Sequence, residues 1–261
     1  MSVDVTELMR FYDSPLGRVA ARFLGRTIQE MWVDIGGRRL LGIGYAIPVL
    51  GEIGSGCERV LAVMPPTQGV RHWPAGPVSA TAMADPLILP LPEASFDRVL
   101  VMHAMESSQD PGELMDEVAR ILVPDGRALF VCPNRRGLWA RIDTTPFGHG
   151  QPFSRKQIRR LLQATQLEAC AWRETLYMPP FQSGFVLGGA ATWETVGRGL
   201  SLPFAGLYLV ETVKRLHRPI AVKARRHRRR REPVLVPVPA SRIAAPQVTS
   251  ESLCDAGNRR Q

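Results

Sequence analysis

Apolar positions recur along this chain in two rhythms. Between residues 4 and 31, Leu8, Phe11, Tyr12, Leu16, Val19, Ala20, Phe23, Leu24 and Ile28 fall at helical spacing, and Ser14-Pro15 interrupts them. Two helices are expected there, covering one edge of the domain. Then come short continuous apolar runs, at Arg39 to Ile43, at Val60 to Met64 ahead of Pro65-Pro66, and at Phe96 to Met102. Runs of this length bounded by turn residues predict buried strands, and Pro48 between the first two is placed to open a helix. Strand, helix, strand, loop and strand is the alternation of a parallel α/β sheet.

The second half is punctuated by caps. Asp110-Pro111-Gly112-Glu113 supplies an N-cap carboxylate, a first-position proline and a glutamate three residues past the cap, so a helix is predicted over 111–122. Leu114, Val118, Ile121 and Leu122 share its apolar face, and Pro124-Asp125-Gly126 is read as a turn into a strand over Ala128 to Cys132. Ser154 and Gln157 repeat the capping signal before Ile158, Leu161, Leu162 and Leu167. A strand near Cys170 to Tyr177, a helix near Phe185 to Arg198 and a strand near Gly206 to Val213 complete the ordered part. Past Pro219 no core-forming period remains, and residues 222–261 are expected to be disordered.

Composition adds little until it is located. At 261 residues and 45 % hydrophobic, the chain can bury one full core with an appendage. The net charge is +9, but Lys223, Arg225, Arg226 and Arg228 to Arg231 carry most of it, leaving about +2 elsewhere. The basic block is a candidate nucleic-acid contact over 223–231, although no aromatic residues interleave with it to stack on bases. Cys57, Cys132, Cys170 and Cys254 are scattered, without metal-ligand spacing, as reduced thiols would be. Glu194, Arg198 and Pro203 interrupt the apolar stretch from Phe181 to Val210, which argues against a membrane span. No export signal is seen at the start, so a cytoplasmic protein is expected.

The most specific segment is Ala84-Asp85-Pro86-Leu87-Ile88-Leu89-Pro90-Leu91-Pro92-Glu93-Ala94-Ser95-Phe96-Asp97, followed by the strand to His103, the capped helix and Pro124-Asp125-Gly126. It resembles the central section of a class I S-adenosylmethionine-dependent methyltransferase of the type 11 group, and the resemblance spans about residues 38 to 170. What it implies is a Rossmann-like fold: a seven-stranded, mostly parallel sheet with helices on both faces. The expected organisation is a helical extension over 1–36, the methyltransferase domain over 37–221 and the Arg-rich and Pro-rich tail over 222–261.

In open α/β sheets the ligand sits at the carboxyl ends of the strands where strand order reverses. Gly42-Ile43-Gly44 lies at the first such turn, where glycine either lets backbone approach a ligand or simply satisfies sterics. The resemblance implies a donor site formed by Gly42, Gly44, Tyr45, Met64, Ala84, Asp85 and His103, with S-adenosylmethionine as cofactor. Asp85 would serve the adenine, its other reading being a turn-forming aspartate ahead of proline. Met64 stands where the family carries a ribose-binding acid, so those contacts are either missing or supplied from elsewhere, for instance by the backbone near Pro65 or by Gln68. Met83 is read as a core residue or a packing surface for adenine. His103, at the end of the third apolar run, is the candidate catalytic residue, able to orient or deprotonate an acceptor or simply to bond backbone. Arg135, His149 and Tyr177 are further candidates around the acceptor, and Asp97 is read as structural.

Three functions follow from this reading. The first is methylation of a small-molecule acceptor. The second is a non-catalytic binding protein on a degenerate methyltransferase fold, and the third an RNA methyltransferase docking through its basic tail. Methyl transfer from an activated sulfonium needs alignment more than acid-base groups, so no catalytic motif names the acceptor.

Overall fold

The computed structural model describes residues 3–199 and 204–215. The arginine block at 223–231 and the segment 222–261, with the expectations placed on them, lie outside the described residues.

The N-terminal helices are α1 (Val5–Asp13) and α2 (Pro15–Met31), broken at Ser14, whose hydroxyl accepts from Gly17 N as the α2 cap. Gly17 is required here, because a Cβ would lie 2.0 Å from the Phe11 carbonyl oxygen. The strands are β1 (Arg39–Gly44), β2 (Arg59–Met64), β3 (Thr81–Met83), β4 (Phe96–Met102), β5 (Leu122–Pro133), β6 (Leu167–Thr175) and β7 (Leu207–Lys214). They form one sheet in the order β3-β2-β1-β4-β5-β7-β6. Only β7 runs against its neighbours, pairing antiparallel with both β5 and β6. This is the Rossmann-like sheet that the resemblance implied.

Strand register sorts the side chains onto two faces. Leu40, Leu100, Met102, Leu129 and Val131 pack under α1, α2 and α3 (Ile47–Ile53). Leu41, Ile43, Val99, Val101, Ala128, Phe130 and Cys132 pack under α4 (Pro111–Ile121) and α5 (Arg155–Gln163). Successive strand residues point to opposite faces, so near-continuous apolar runs are what a sheet covered on both sides requires. Asp97 ties the strand starts together by accepting from the backbone N and the Nε of Arg39, at 3.0 and 2.9 Å.

Three expectations change. Pro124-Asp125-Gly126 is not a separate turn, because β5 runs from Leu122 through it; Phe96 pairs with Leu122, and a register shift with Asp125 at φ +58° absorbs the irregularity. The helix expected over 185–198 is two helices, α6 (Gly184–Gly188) and α7 (Ala190–Gly199). Strand β3 was not expected. Its three residues are too few for a period, and it exists by pairing parallel with β2 at Ala62 to Met64.

Candidate functional site at the carboxyl ends of β1, β2 and β4

The sheet order reverses between β1 and β4, so the crevice lies past Gly44 and Met102. Gly44 has φ +79°, and a Cβ there would stand 2.2 Å from the Met102 carbonyl oxygen. Its conformation and closeness therefore bring the β1 turn against the end of β4. Gly42 lies one layer below, where a Cβ would meet Leu50 Cδ1 at 2.6 Å and Ala46 Cβ at 2.9 Å. Gly42 thus serves helix-strand packing and does not face the crevice.

His103 follows β4 with φ +58° and is buried. Its left-handed backbone turns the ring toward α1, where Nε2 lies 2.7 Å from the Tyr12 hydroxyl, and Nδ1 lies 3.1 Å from Glu106 Oε1. Phe147 covers the ring at 4.7 Å between centroids. Burial, with the charges of Glu106 and Tyr45 added, pushes the Tyr12 phenol well above its ordinary range, so it remains a proton donor. Both ring nitrogens of His103 are thus engaged, Nε2 by the phenol and Nδ1 by Glu106.

The other side of the crevice is filled as well. Tyr45 is buried and stacks on Tyr12 at 5.8 Å, and its hydroxyl accepts from Arg71 at 3.2 Å. Gln68, after β2, is buried and donates through Nε2 to the His103 carbonyl. Two buried polar atoms around this point have no partner: Gln68 Oε1 and Glu106 Oε2. The cavity that Gln68 and Glu106 line with Leu8 and His149 holds about 10 Å³, room for roughly one water.

Of the other expected residues, Met64 is fully buried in the core beneath α1, and Ala84 N donates to its carbonyl. Asp85 is exposed, and its Oδ1 accepts from Leu87 N at 3.0 Å, closing an Asx turn ahead of Ile88. Met83 is 56 % exposed on the edge strand, which corrects its reading as a core methionine. His149 bonds the Asp143 carbonyl, and Arg135 the Pro152 carbonyl. Tyr177 lies elsewhere, bonded to Glu174. The structure gathers Gly44, Tyr45 and His103 with Gln68, which the sequence offered as a substitute for the acid at Met64, and adds Tyr12 and Glu106, which the sequence did not single out as site residues. The signal available for Glu106 was its spacing of three residues from His103 on the turn after β4.

A methyltransferase-domain model matches residues 21–171. The chain belongs to the methyltransferase domain family. Among solved structures it is similar to an S-adenosylmethionine-dependent methyltransferase from Mesorhizobium loti, with TM-score 0.53, 16 % identity and coverage of 72 % of this chain and 96 % of that one. It is similar too to geranyl diphosphate C-methyltransferase from Streptomyces coelicolor A3(2), with TM-score 0.51, 14 % identity and coverage of 73 % and 76 %. The [4+2]-cyclase SpnF shares the fold at TM-score 0.50 and 18 % identity, over 75 % of this chain and 81 % of that one. No curated protein sequence matches the chain.

The cofactor of this family and fold is S-adenosylmethionine. The crevice offers it chemistry: a glycine turn, and orphaned oxygens on Gln68 and Glu106 that would accept from hydroxyl and amino groups. Its volume is taken by Tyr12 and Leu8 of α1. Helix α1 therefore stands between the polar lining and any nucleoside-sized ligand. Among the described residues no helix is long and apolar enough to cross a membrane, and no group of three metal-ligating side chains converges.

Proposed function

We propose that this protein is an S-adenosylmethionine-dependent methyltransferase of a small-molecule acceptor, working in the cytoplasm. The observation that carries the reading is the placement of unpartnered buried polar atoms, on Gln68 and Glu106, at the β1/β4 switch point of a methyltransferase-family sheet. Gln68 Oε1 takes the part of the missing acid at Met64 by accepting from the ribose, and Gly44 gives the backbone its approach. Asp85 is the candidate for the adenine edge. When bound, the cofactor supplies an activated methyl group, so the chain's own task is to align the acceptor and exclude water. His103 is the candidate base, held by Glu106 and released from Tyr12 when α1 withdraws. Small-molecule acceptors accord with the geranyl diphosphate enzyme among the structural neighbours.

A second reading is favoured by the filled crevice: a binding protein, or an enzyme of other chemistry, that keeps the fold without the donor. SpnF, described as a [4+2]-cyclase, has this fold, and a fold by itself does not assign a reaction.

Calorimetric titration with S-adenosylmethionine and its demethylated product separates the two. Micromolar binding that falls by at least about tenfold in Gln68→Leu and Asp85→Ala supports donor use. Absence of binding at millimolar donor, in the parent and in Tyr12→Ala alike, would leave the second reading.

A further inference from the structure

A groove much larger than the cavity at the switch point lies elsewhere on the molecule. It holds about 610 Å³ and lies between the loop after β5 and helix α7. Its apolar wall is Leu138, Trp193, Val196 and Phe204, which are 42 to 57 % exposed. Arg136 and Arg141 complete it, and no acidic side chain lines it. Neither guanidinium has an ion-pair or hydrogen-bond partner among the described residues. Elsewhere arginines such as Arg39, Arg120, Arg127 and Arg155 are paired with carboxylates.

The groove is a formed one. Trp193, Val196 and Gly197 recur at helical spacing on one face of α7, and Gly197 sits so close to Tyr177 that a Cβ would come within 2.2 Å of its ring. That contact, and the buried Glu194 accepting from Tyr177 N at 2.6 Å, hold α7 at its distance from the loop. Trp139, fully buried and donating to the Met178 carbonyl, stands with Phe147 between this groove and His103. The groove is thus separate from the crevice.

We infer that this groove binds a single-chain amphiphile, an acyl or prenyl chain carrying a phosphate or carboxylate head. The apolar wall takes the chain, and Arg136 and Arg141 take the head, since a planar guanidinium fork matches those oxygens in bidentate fashion. The volume is that of a small-ligand pocket. Four exposed apolar residues are far fewer than the roughly 20–30 residues each side contributes to a stable protein interface, so a monomeric ligand fits better than a protein partner. The inference does not depend on methyl transfer.

The test is titration of the full-length protein with decyl phosphate below its micelle threshold, read by calorimetry and tryptophan fluorescence. Decyltrimethylammonium and inorganic phosphate are the comparison ligands. Stoichiometric binding is expected, at least about tenfold tighter than for the cationic detergent, with inorganic phosphate inert at the same concentration. Arg136→Ala with Arg141→Ala should weaken it at least about tenfold, and Val196→Asp should abolish it. The pair Lys156→Ala with Arg160→Ala, exposed on α5, removes the same charge elsewhere and should change nothing. Melting curves for every variant establish that each is folded. Equal affinity for both detergents overturns the assignment. So does equal loss in the α5 pair, a response only above the micelle threshold, or binding confined to anionic vesicles.

Discussion

The Tyr12 hydroxyl of α1 and Nε2 of His103 lie 2.7 Å apart, both buried, across 91 residues of sequence. This bond fastens the first helix onto the carboxyl end of the sheet, with Leu8 on the same helix face fully buried beside it. It also occupies the nitrogen that His103 would use on an acceptor. The base role proposed for His103 therefore requires that this bond open.

Tyr12→Phe keeps the ring and its stacking on Tyr45 but leaves His103 Nε2 buried without its hydrogen-bond partner. The expected cost is about 1–3 kcal/mol, seen as a lower urea midpoint at unchanged slope. A midpoint equal to the parent's would mean that the bond contributes nothing to seating α1.

Gly44→Ala meets both a positive φ and a carbonyl oxygen 2.2 Å from the new carbon. The left-handed conformation alone costs about 1–2 kcal/mol, and the contact adds to it. Gly36→Ala, with nothing within 4 Å and no positive φ, is the matched comparison; it should be neutral or slightly stabilising. Similar chemical denaturation curves for the two variants would contradict this packing.

Glu194 is buried, and burial raises its carboxyl above the ordinary 4.5 despite hydrogen bonds from Tyr177 N and Thr175 and the charge of Arg198. The folded state then holds a proton that the unfolded state has released. Its contribution to stability is complete below the unfolded value and is lost as pH rises through the folded one. In paired urea titrations the stability of the parent relative to Glu194→Gln should therefore decline from pH about 4.5 toward neutrality. A difference that does not vary with pH would refute the shift.

Asp110 caps α4 by accepting from Gly112 N and Glu113 N at 2.9 and 3.0 Å. Asp110→Ala should cost about 1 kcal/mol, measured by thermal melting. Asp110→Asn, which keeps an acceptor, should recover most of it. Failure of the asparagine to do so would assign the loss to charge at the helix start.

The amino-acid sequence by itself determined the elements whose signals are local. Pro111 after Asp110 started α4, Ser154 with Gln157 started α5 through a capping box, and Phe96 to Met102 became β4 as expected. Short-range spacing carries such information, because a cap or a period is complete within one or two turns of chain. The tertiary structure alone decided the rest. Thr81–Met83 became a strand only because β2 offered it an edge, and β7 took its antiparallel sense from β5 and β6. Gly42 read like a ligand glycine, yet Leu50 and Ala46 account for it. Tyr12, at ordinary helical spacing, read as one core residue among several. Its bond to His103 and the groove shared by Arg136, Trp193 and Phe204 join residues far apart along the chain. No local pattern encodes such pairings, since they exist only once strand order and helix seating have brought the side chains together.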